Sequence, residues 1–153
     1  MDIASLYKRT KKNLWLAKNP PHVVFNFMES FGSNVLVLDK FPENNLLGSL
    51  RDAFQKDFVF ERFVSEDNGT APSLAALFFN STSHNISHNS AQKVVLKDTP
   101  FKVFKSRGYQ VIFISPGNLM WRNLANYLPL QGVDKVFDQN TLMKFYPESK
   151  KEL

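Results

Sequence analysis

The chain has 153 residues, 43% of them apolar, and no cysteine. This length fits one globular domain or part of one, and the missing cysteines exclude disulfide frameworks, thiolate metal sites and cysteine nucleophiles. No run of 18 apolar residues occurs, so we expect no membrane-spanning helix within this sequence.

The net charge of +5 is concentrated at the start of the chain, where residues 1–18 carry five basic side chains against Asp2. A basic stripe of this kind can contact anionic lipid headgroups, or it can be the solvated face of an amphipathic helix. Nucleic acid is not expected as a partner, because basic and aromatic residues do not interleave through the rest of the chain.

The first elements in chain order are an arm and a strand. Residues 3–16 predict a helix or arm that ends at Asn19-Pro20-Pro21. The short segment 22–28 (HVVFNFM) is β-branched and aromatic, and it predicts a buried strand. A polar turn beginning at Glu29 follows, at the carboxyl end of that strand, where ligands collect in open α/β sheets.

The middle of the chain predicts two helices joined by a strand and a turn. Apolar residues at helical spacing predict a helix over 45–56, and the alternating Phe58, Phe60 and Phe63 predict a short strand. A Gly-Thr turn then opens a helix over 71–79, with Pro72 in the first turn, where its missing N–H costs nothing. Residues 80–92 are polar and low in complexity, which predicts a loop.

The last third alternates helices and strands. Thr99-Pro100 opens a helix that closes at Arg107-Gly108. A clear strand follows over 109–115 (YQVIFIS), then a helix over 119–128 and a short strand over 134–138. This order predicts an α/β fold, a layered sheet with helices on both faces.

Two residues of this pattern can carry chemistry. Thr70 opens a helix, whose N-terminus favours a phosphate or sulfate, but a Thr hydroxyl is a weak nucleophile unless a base or metal activates it. Glu29 is a carboxylate of the type that binds such a metal. From the residues alone, Thr70 can equally be a helix N-cap and Glu29 a solvated turn residue. His84 and His88 lie in the polar loop, and we interpret them as loop residues rather than a metal site.

Three stretches together resemble the alkaline phosphatase/sulfatase superfamily: 23–32 (VVFNFMESFG), 46–63 and 68–77 (NGTAPSLAAL). The chain is most similar to the membrane-anchored branch, the lipoteichoic acid synthase-like phosphoglycerol transferases and their phosphoethanolamine transferase relatives. The segments 97–115 and 117–137 support the resemblance. It implies a partial alkaline-phosphatase/sulfatase-like fold, in which 1–20 is a basic linker or arm and 21–153 is the amino-terminal part of the catalytic domain.

The resemblance also implies roles. Glu29 would bind a divalent metal (Mn²⁺, Zn²⁺ or Mg²⁺), and Thr70 would be both metal ligand and nucleophile. Thr70 would attack a phospholipid headgroup donor and hold the phosphorylated fragment until a cell-envelope glycan or lipid acceptor displaces it. Trp121, Arg122 and Asn118 would bind the headgroup.

The sequence departs from the family pattern in three respects. No Asp and no Asp-His pair follow Asp138 to complete the metal site. We therefore expect an inactive fragment of a membrane-anchored protein that acts at the extracytoplasmic face of the bacterial cytoplasmic membrane. Thr70 cannot supply the formylglycine of hydrolytic sulfatases, and Leu74 replaces their Arg, which disfavours a sulfatase. The missing cysteines disfavour a phosphoethanolamine transferase. A phosphodiesterase or phosphatase and a non-catalytic headgroup-binding module remain as alternatives.

Overall fold

A computed structural model describes residues 13–41, 43–60, 64–65, 67–83 and 85–148. The chain divides into two compact units, Met1–Gln55 and Lys56–Leu153. No helix in the described ranges is both long enough and apolar enough to cross a bilayer.

The first unit contains short helices joined by irregular chain. Helix α1 is Leu14–Lys18, α2 is Ser33–Leu38, and α3 is Leu50–Lys56, which ends at the boundary of the unit. Asn13 caps α1, because its side chain accepts a hydrogen bond from the N–H of Leu16 at 3.1 Å. The predicted helix over 45–56 is confirmed in its second half.

A carboxylate clamp closes the loop between α2 and α3. Asp39 Oδ1 accepts hydrogen bonds from the N–H groups of Leu46 at 2.8 Å and Leu47 at 3.0 Å. The Arg51 guanidinium donates from Nε to Asp39 Oδ2 at 2.8 Å and from Nη2 to Oδ1 at 2.9 Å. The hydrogen bond from Arg51, followed by that from Leu47, lowers the pKa of Asp39 from 3.8 to about 2.

Two predicted strands are wrong within the described residues. The segment 22–28 is irregular and exposed, with Val24 88% accessible, and its main chain pairs with no strand. The same holds for residues 58–60, where Phe58 is 99% accessible; residues 61–63 lie outside the described ranges. Apolar, β-branched composition favours a strand only where a neighbouring strand satisfies its N–H and C=O groups, and the described chain supplies none here.

The second unit is a mixed α/β arrangement. Its elements are α4 (Thr70–Phe79), α5 (Pro100–Lys105), β1 (Ile112–Ile114), a 3₁₀ turn (Trp121–Asn123), α6 (Leu124–Leu130), β2 (Lys135–Phe137) and α7 (Gln139–Phe145). The predicted strands 109–115 and 134–138 are confirmed as β1 and β2, although both are shorter. The α/β class is therefore confirmed, with a two-stranded sheet in the described part of the chain.

The strands β1 and β2 are parallel, with Ile112 opposite Lys135 and Ile114 opposite Phe137. Because parallel strands need a crossover connection, the turn at 121–123 and helix α6 between them form a β-α-β unit. Thr99 starts α5 as predicted, since its Oγ1 accepts a hydrogen bond from the N–H of Lys102 at 3.3 Å.

The core of the second unit is built from α4, α5 and α6. The rings of Phe79 and Tyr127 meet nearly perpendicularly with centroids 5.0 Å apart, and those of Phe78 and Phe101 stack at 5.1 Å. Such aromatic pairs favour a fixed relative placement of the helices that carry them. The remaining buried members are aliphatic: Leu74, Ala75, Ile86, Leu119, Leu124, Leu128 and Val133.

A buried glutamine joins the irregular segment 94–99 to the end of α6. Gln131 is fully buried; its Oε1 accepts from the N–H of Leu96 at 2.9 Å, and its Nε2 donates to the C=O of Val94 at 2.8 Å. The C=O of Gln131 accepts from Thr99 Oγ1 at 2.8 Å. The side chain therefore replaces the main-chain partners that a sheet or helix would supply.

Replacing Gln131 by Met should destabilise the second unit. The change keeps the side-chain volume but removes the partners of the Leu96 N–H and the Val94 C=O, both of which bond to Gln131 in a partly buried setting, so we expect the free energy of unfolding to fall by about 1–3 kcal/mol. Urea unfolding followed by circular dichroism measures the difference. The matched control is Gln110→Met at an exposed position, which should change stability by less than about 0.5 kcal/mol. Equal effects of the two changes would contradict a stabilising role for the hydrogen bonds of Gln131.

The Asp39 clamp should open in acid. Because its folded-state pKa of about 2 lies below the unfolded value, the stabilisation is present above pH 4 and is lost as the pH falls toward 2. We expect the hydrogen-exchange protection factors of the Leu46 and Leu47 amides to fall across that range, and to be low at every pH in Asp39→Asn. The exposed Asp57→Asn variant is the control, and an unchanged pH profile in Asp39→Asn would refute this account.

Candidate active site

Thr70 is the first residue of α4, and Gly69 occupies the N-cap position. The C=O of Gly69 accepts the first helical hydrogen bond, from the N–H of Ser73 at 3.1 Å. Gly69 has φ 112°, which a residue with a side chain rarely adopts. The interpretation of Thr70 as the N-cap is therefore wrong, whereas its position at the opening of the helix is confirmed. Its side chain is half-buried.

Hydrogen bonds connect the turn before α4 to the first turn of the helix. The C=O of Asp67 accepts hydrogen bonds from Ser65 Oγ at 2.9 Å and from the buried Ser73 Oγ at 3.1 Å. Asp67 Oδ1 also accepts from the N–H of Asn68 at 2.6 Å. These bonds fix the path of the chain directly before Thr70, so the position of the Thr70 main chain is set by its neighbours.

A shallow, open pocket lies beside the first turns of α4. Its lining combines α4 with two later segments: Ala71, Leu74, Ala75, Phe79, Ile86, Ser87, Trp121, Arg122 and Leu124. The pocket therefore brings together Trp121 and Arg122, two of the predicted substrate-binding residues, with the residue that follows Thr70. Most of the lining is apolar, and Arg122 is the charged member.

Arg122 is held from two sides. Its guanidinium carbon lies 5.4 Å from the centroid of the Trp121 ring, and its Nη1 donates to Asn85 Oδ1 at 2.7 Å. A guanidinium over an indole face is attracted by the ring quadrupole. Since a guanidinium carries five N–H donors in a planar fork, the contact with Asn85 leaves donors that suit the oxygens of an anionic ligand.

The main chain at the pocket is in an unusual conformation. Arg122 has φ 55° and Asn123 has φ 57°, so two successive residues other than glycine lie in the left-handed region. Ser87 Oγ donates to the C=O of Arg122 at 2.6 Å, and Asn123 Nδ2 donates to the C=O of Ser87 at 2.8 Å. Apart from the polarity of the 80–92 loop, no pattern in the sequence predicts these partners.

Asn118 lies in the exposed turn after β1, outside the lining of the pocket. Its Oδ1 accepts from the N–H of Met120 at 2.9 Å, and its C=O accepts from the N–H of Trp121 at 3.1 Å. Asn118 therefore stabilises the turn that positions Trp121 at the pocket. A contact between Asn118 and substrate stays a prediction.

The acidic residue at the end of β2 is engaged in capping. Asp138 Oδ1 accepts from the N–H of Thr141 at 3.0 Å and from Thr141 Oγ1 at 2.9 Å, which starts α7. These contacts, led by the one from the Thr141 N–H, lower the pKa of Asp138.

The predicted metal ligands belong to different units. Glu29 is exposed in the turn before α2 of the first unit, and Thr70 is in the second. Among the residues that the structure describes, no three His, Asp or Glu side chains form a group that could hold a metal ion. The described residues thus do not complete a metal site by themselves, and the roles of Glu29 and Thr70 as ligands stay predictions. His88 is exposed in a turn of the polar loop, and His84 lies outside the described ranges.

The family model described as Sulfatase matches residues 21–153. The comparisons with curated proteins and with solved structures found no match. Members of the sulfatase family are typically enzymes of phosphoryl or sulfuryl transfer or hydrolysis, and their superfamily usually uses divalent metals. Because the match leaves out only the first 20 residues, the chain belongs to the sulfatase family, within the alkaline phosphatase superfamily.

Proposed function

We propose that this chain supplies the nucleophile and the headgroup pocket of a phosphoglycerol-type transferase. The observation that carries the proposal is the pocket itself, in which Trp121 and Arg122 lie beside the first turn of the helix that Thr70 opens. A threonine at this position is compatible with attack on phosphorus, whereas it cannot be converted to the aldehyde that sulfate-ester hydrolysis requires.

Thr70 would attack the phosphodiester of a phospholipid headgroup. The Thr70 Oγ–P bond forms, and the bond between phosphorus and the lipid oxygen breaks, so that diacylglycerol leaves with a proton. The hydroxyl of a cell-envelope glycan or lipid then attacks phosphorus and releases Thr70. Arg122 supports both steps, because its fork of N–H donors can hold the non-bridging phosphoryl oxygens.

A threonine hydroxyl needs activation before it can attack phosphorus. A bound divalent metal supplies that activation in general, by lowering the pKa of a coordinated hydroxyl and by neutralising charge on the phosphoryl group. Glu29 and Thr70 are the two ligands that this chain would contribute. The remaining ligands would come from chain beyond residues 21–153, which on this proposal are the amino-terminal part of the catalytic domain.

The proposal also places the enzyme at a lipid surface, on the extracytoplasmic face of the bacterial cytoplasmic membrane. The basic arm at 1–20 supports this location, since lysine and arginine side chains are attracted to anionic headgroups. The donor in this setting is a phospholipid such as phosphatidylglycerol. If water replaced the acceptor hydroxyl, the same residues would act as a phosphodiesterase, and product analysis separates the two reactions.

Replacing Thr70 tests the nucleophile. The assay uses the full-length protein, which on this proposal carries the remaining metal ligands, with Mn²⁺ and phosphatidylglycerol. We expect Thr70→Ala to lower the release of diacylglycerol by about 10³-fold or more, because no covalent intermediate can form. Thr70→Ser keeps a hydroxyl and should retain part of the activity. The rate of diacylglycerol release, measured by chromatography, gives the comparison.

The control is Thr82→Ala, which changes an exposed threonine of the polar loop and should leave the rate unchanged. Turnover in Thr70→Ala equal to that of the unsubstituted protein would contradict the proposal. Release of free glycerol phosphate in place of a transferred group would favour the phosphodiesterase.

A further inference from the structure

The main chain at Arg122 and Asn123 is strained, and the strain lies at the pocket. Their φ values of 55° and 57° place both residues in the left-handed region, where a β-carbon crowds the following carbonyl oxygen. Asparagine tolerates this conformation better than arginine does. Such conformations persist only where neighbouring groups enforce them, and they concentrate at functional sites.

The neighbouring groups come from the segment Asn85-Ile86-Ser87, which we call the bracing loop. Ser87 is buried, and it contacts both strained residues: its Oγ donates to the C=O of Arg122 at 2.6 Å, and its C=O accepts from Asn123 Nδ2 at 2.8 Å. Ile86 is buried and lines the pocket, so its side chain anchors the loop in the core.

Asn85 completes the brace at the side chain of Arg122. Its Oδ1 accepts from Arg122 Nη1 at 2.7 Å, while the guanidinium lies over Trp121. A neutral amide acceptor directs the guanidinium without cancelling its charge, whereas a carboxylate at the same position would compete with an anionic ligand. The bracing loop thus holds both the main chain of Arg122 and the orientation of its guanidinium.

We propose that Asn85 and Ser87 are positioning residues, which hold the Arg122 guanidinium ready for the phosphoryl oxygens of the donor. This inference rests on the function proposed above. A preorganised cation binds its anion without losing side-chain rotamer freedom at that moment. Loss of the brace should weaken the interaction equally before and during transfer, which raises KM and leaves kcat nearly unchanged.

The test uses the intact protein and two readouts. The first is the dissociation constant of glycerol phosphate, followed by the indole N–H resonance of Trp121; the second is KM and kcat with phosphatidylglycerol. We expect Asn85→Ala and Ser87→Ala to weaken glycerol phosphate binding by about 3- to 10-fold and to raise KM similarly, with kcat within about twofold. Ser90→Ala, at an exposed position of the same polar loop, is the control and should behave like the unsubstituted protein.

A double-mutant cycle assigns the effect to Arg122. In an Arg122→Ala background, Asn85→Ala should weaken glycerol phosphate binding no further, because the group that it positions is gone. Equal weakening in both backgrounds, or binding by Asn85→Ala as tight as by Ser90→Ala, would overturn the proposal. Ser87→Ala can lower stability, so the exposed Asn85 provides the deciding variant.

The failure of this inference and the failure of the proposed function give different results. If Thr70→Ala abolishes transfer while Asn85→Ala matches Ser90→Ala, Thr70 is the nucleophile and the bracing loop has no part in positioning. If Thr70→Ala retains full transfer, the proposed function itself is wrong, whatever the result with Asn85.

Discussion

The second unit depends on hydrogen bonds that hold irregular chain against residues 121–131. The described residues between α4 and α5 form turns but no helix or strand, so the main-chain groups that the turns leave unpaired need partners from elsewhere. Gln131 satisfies Val94 and Leu96, and Ser87 pairs with Arg122 and Asn123. These contacts place Ile86 in the core and close one side of the pocket. Packing alone would not fix that side, because apolar contacts carry little directional information.

The same contacts connect stability with function. A strained pair of residues at the pocket costs folding free energy, and the bonds from Ser87 offset part of that cost while the conformation is maintained. The hydrogen bonds of Gln131 involve no residue in the left-handed region, and they stabilise the fold. The second unit therefore contains two kinds of polar contact, one that stabilises the chain and one that we infer to orient the Arg122 guanidinium.

Local signals predicted the elements that local chemistry decides. The opening of α4 at Gly69-Thr70 and the Thr99 cap of α5 follow from the preferences of single residues, and β1 and β2 from short apolar runs. The segment 22–28 has the composition of a strand but lacks a paired neighbour in the described chain, and pairing is a property of distant residues. Arg122 was predicted as a substrate-binding residue only through a family resemblance. Its hydrogen bond to Asn85 joins residues 37 positions apart, and no local sequence pattern predicts such a contact. The left-handed φ of Arg122 could not be predicted either, because arginine does not favour that conformation.

A covalent intermediate on Thr70 would be detected in the intact mass of the full-length protein, which on the proposal above carries the remaining metal ligands, quenched in acid within milliseconds of mixing with phosphatidylglycerol and Mn²⁺. We expect a mass increase of one phosphoglycerol group, with fragmentation placing it on Thr70, and no such species in Thr70→Ala. An adduct on another residue, or turnover through the quench times without any adduct, would contradict a covalent intermediate on Thr70.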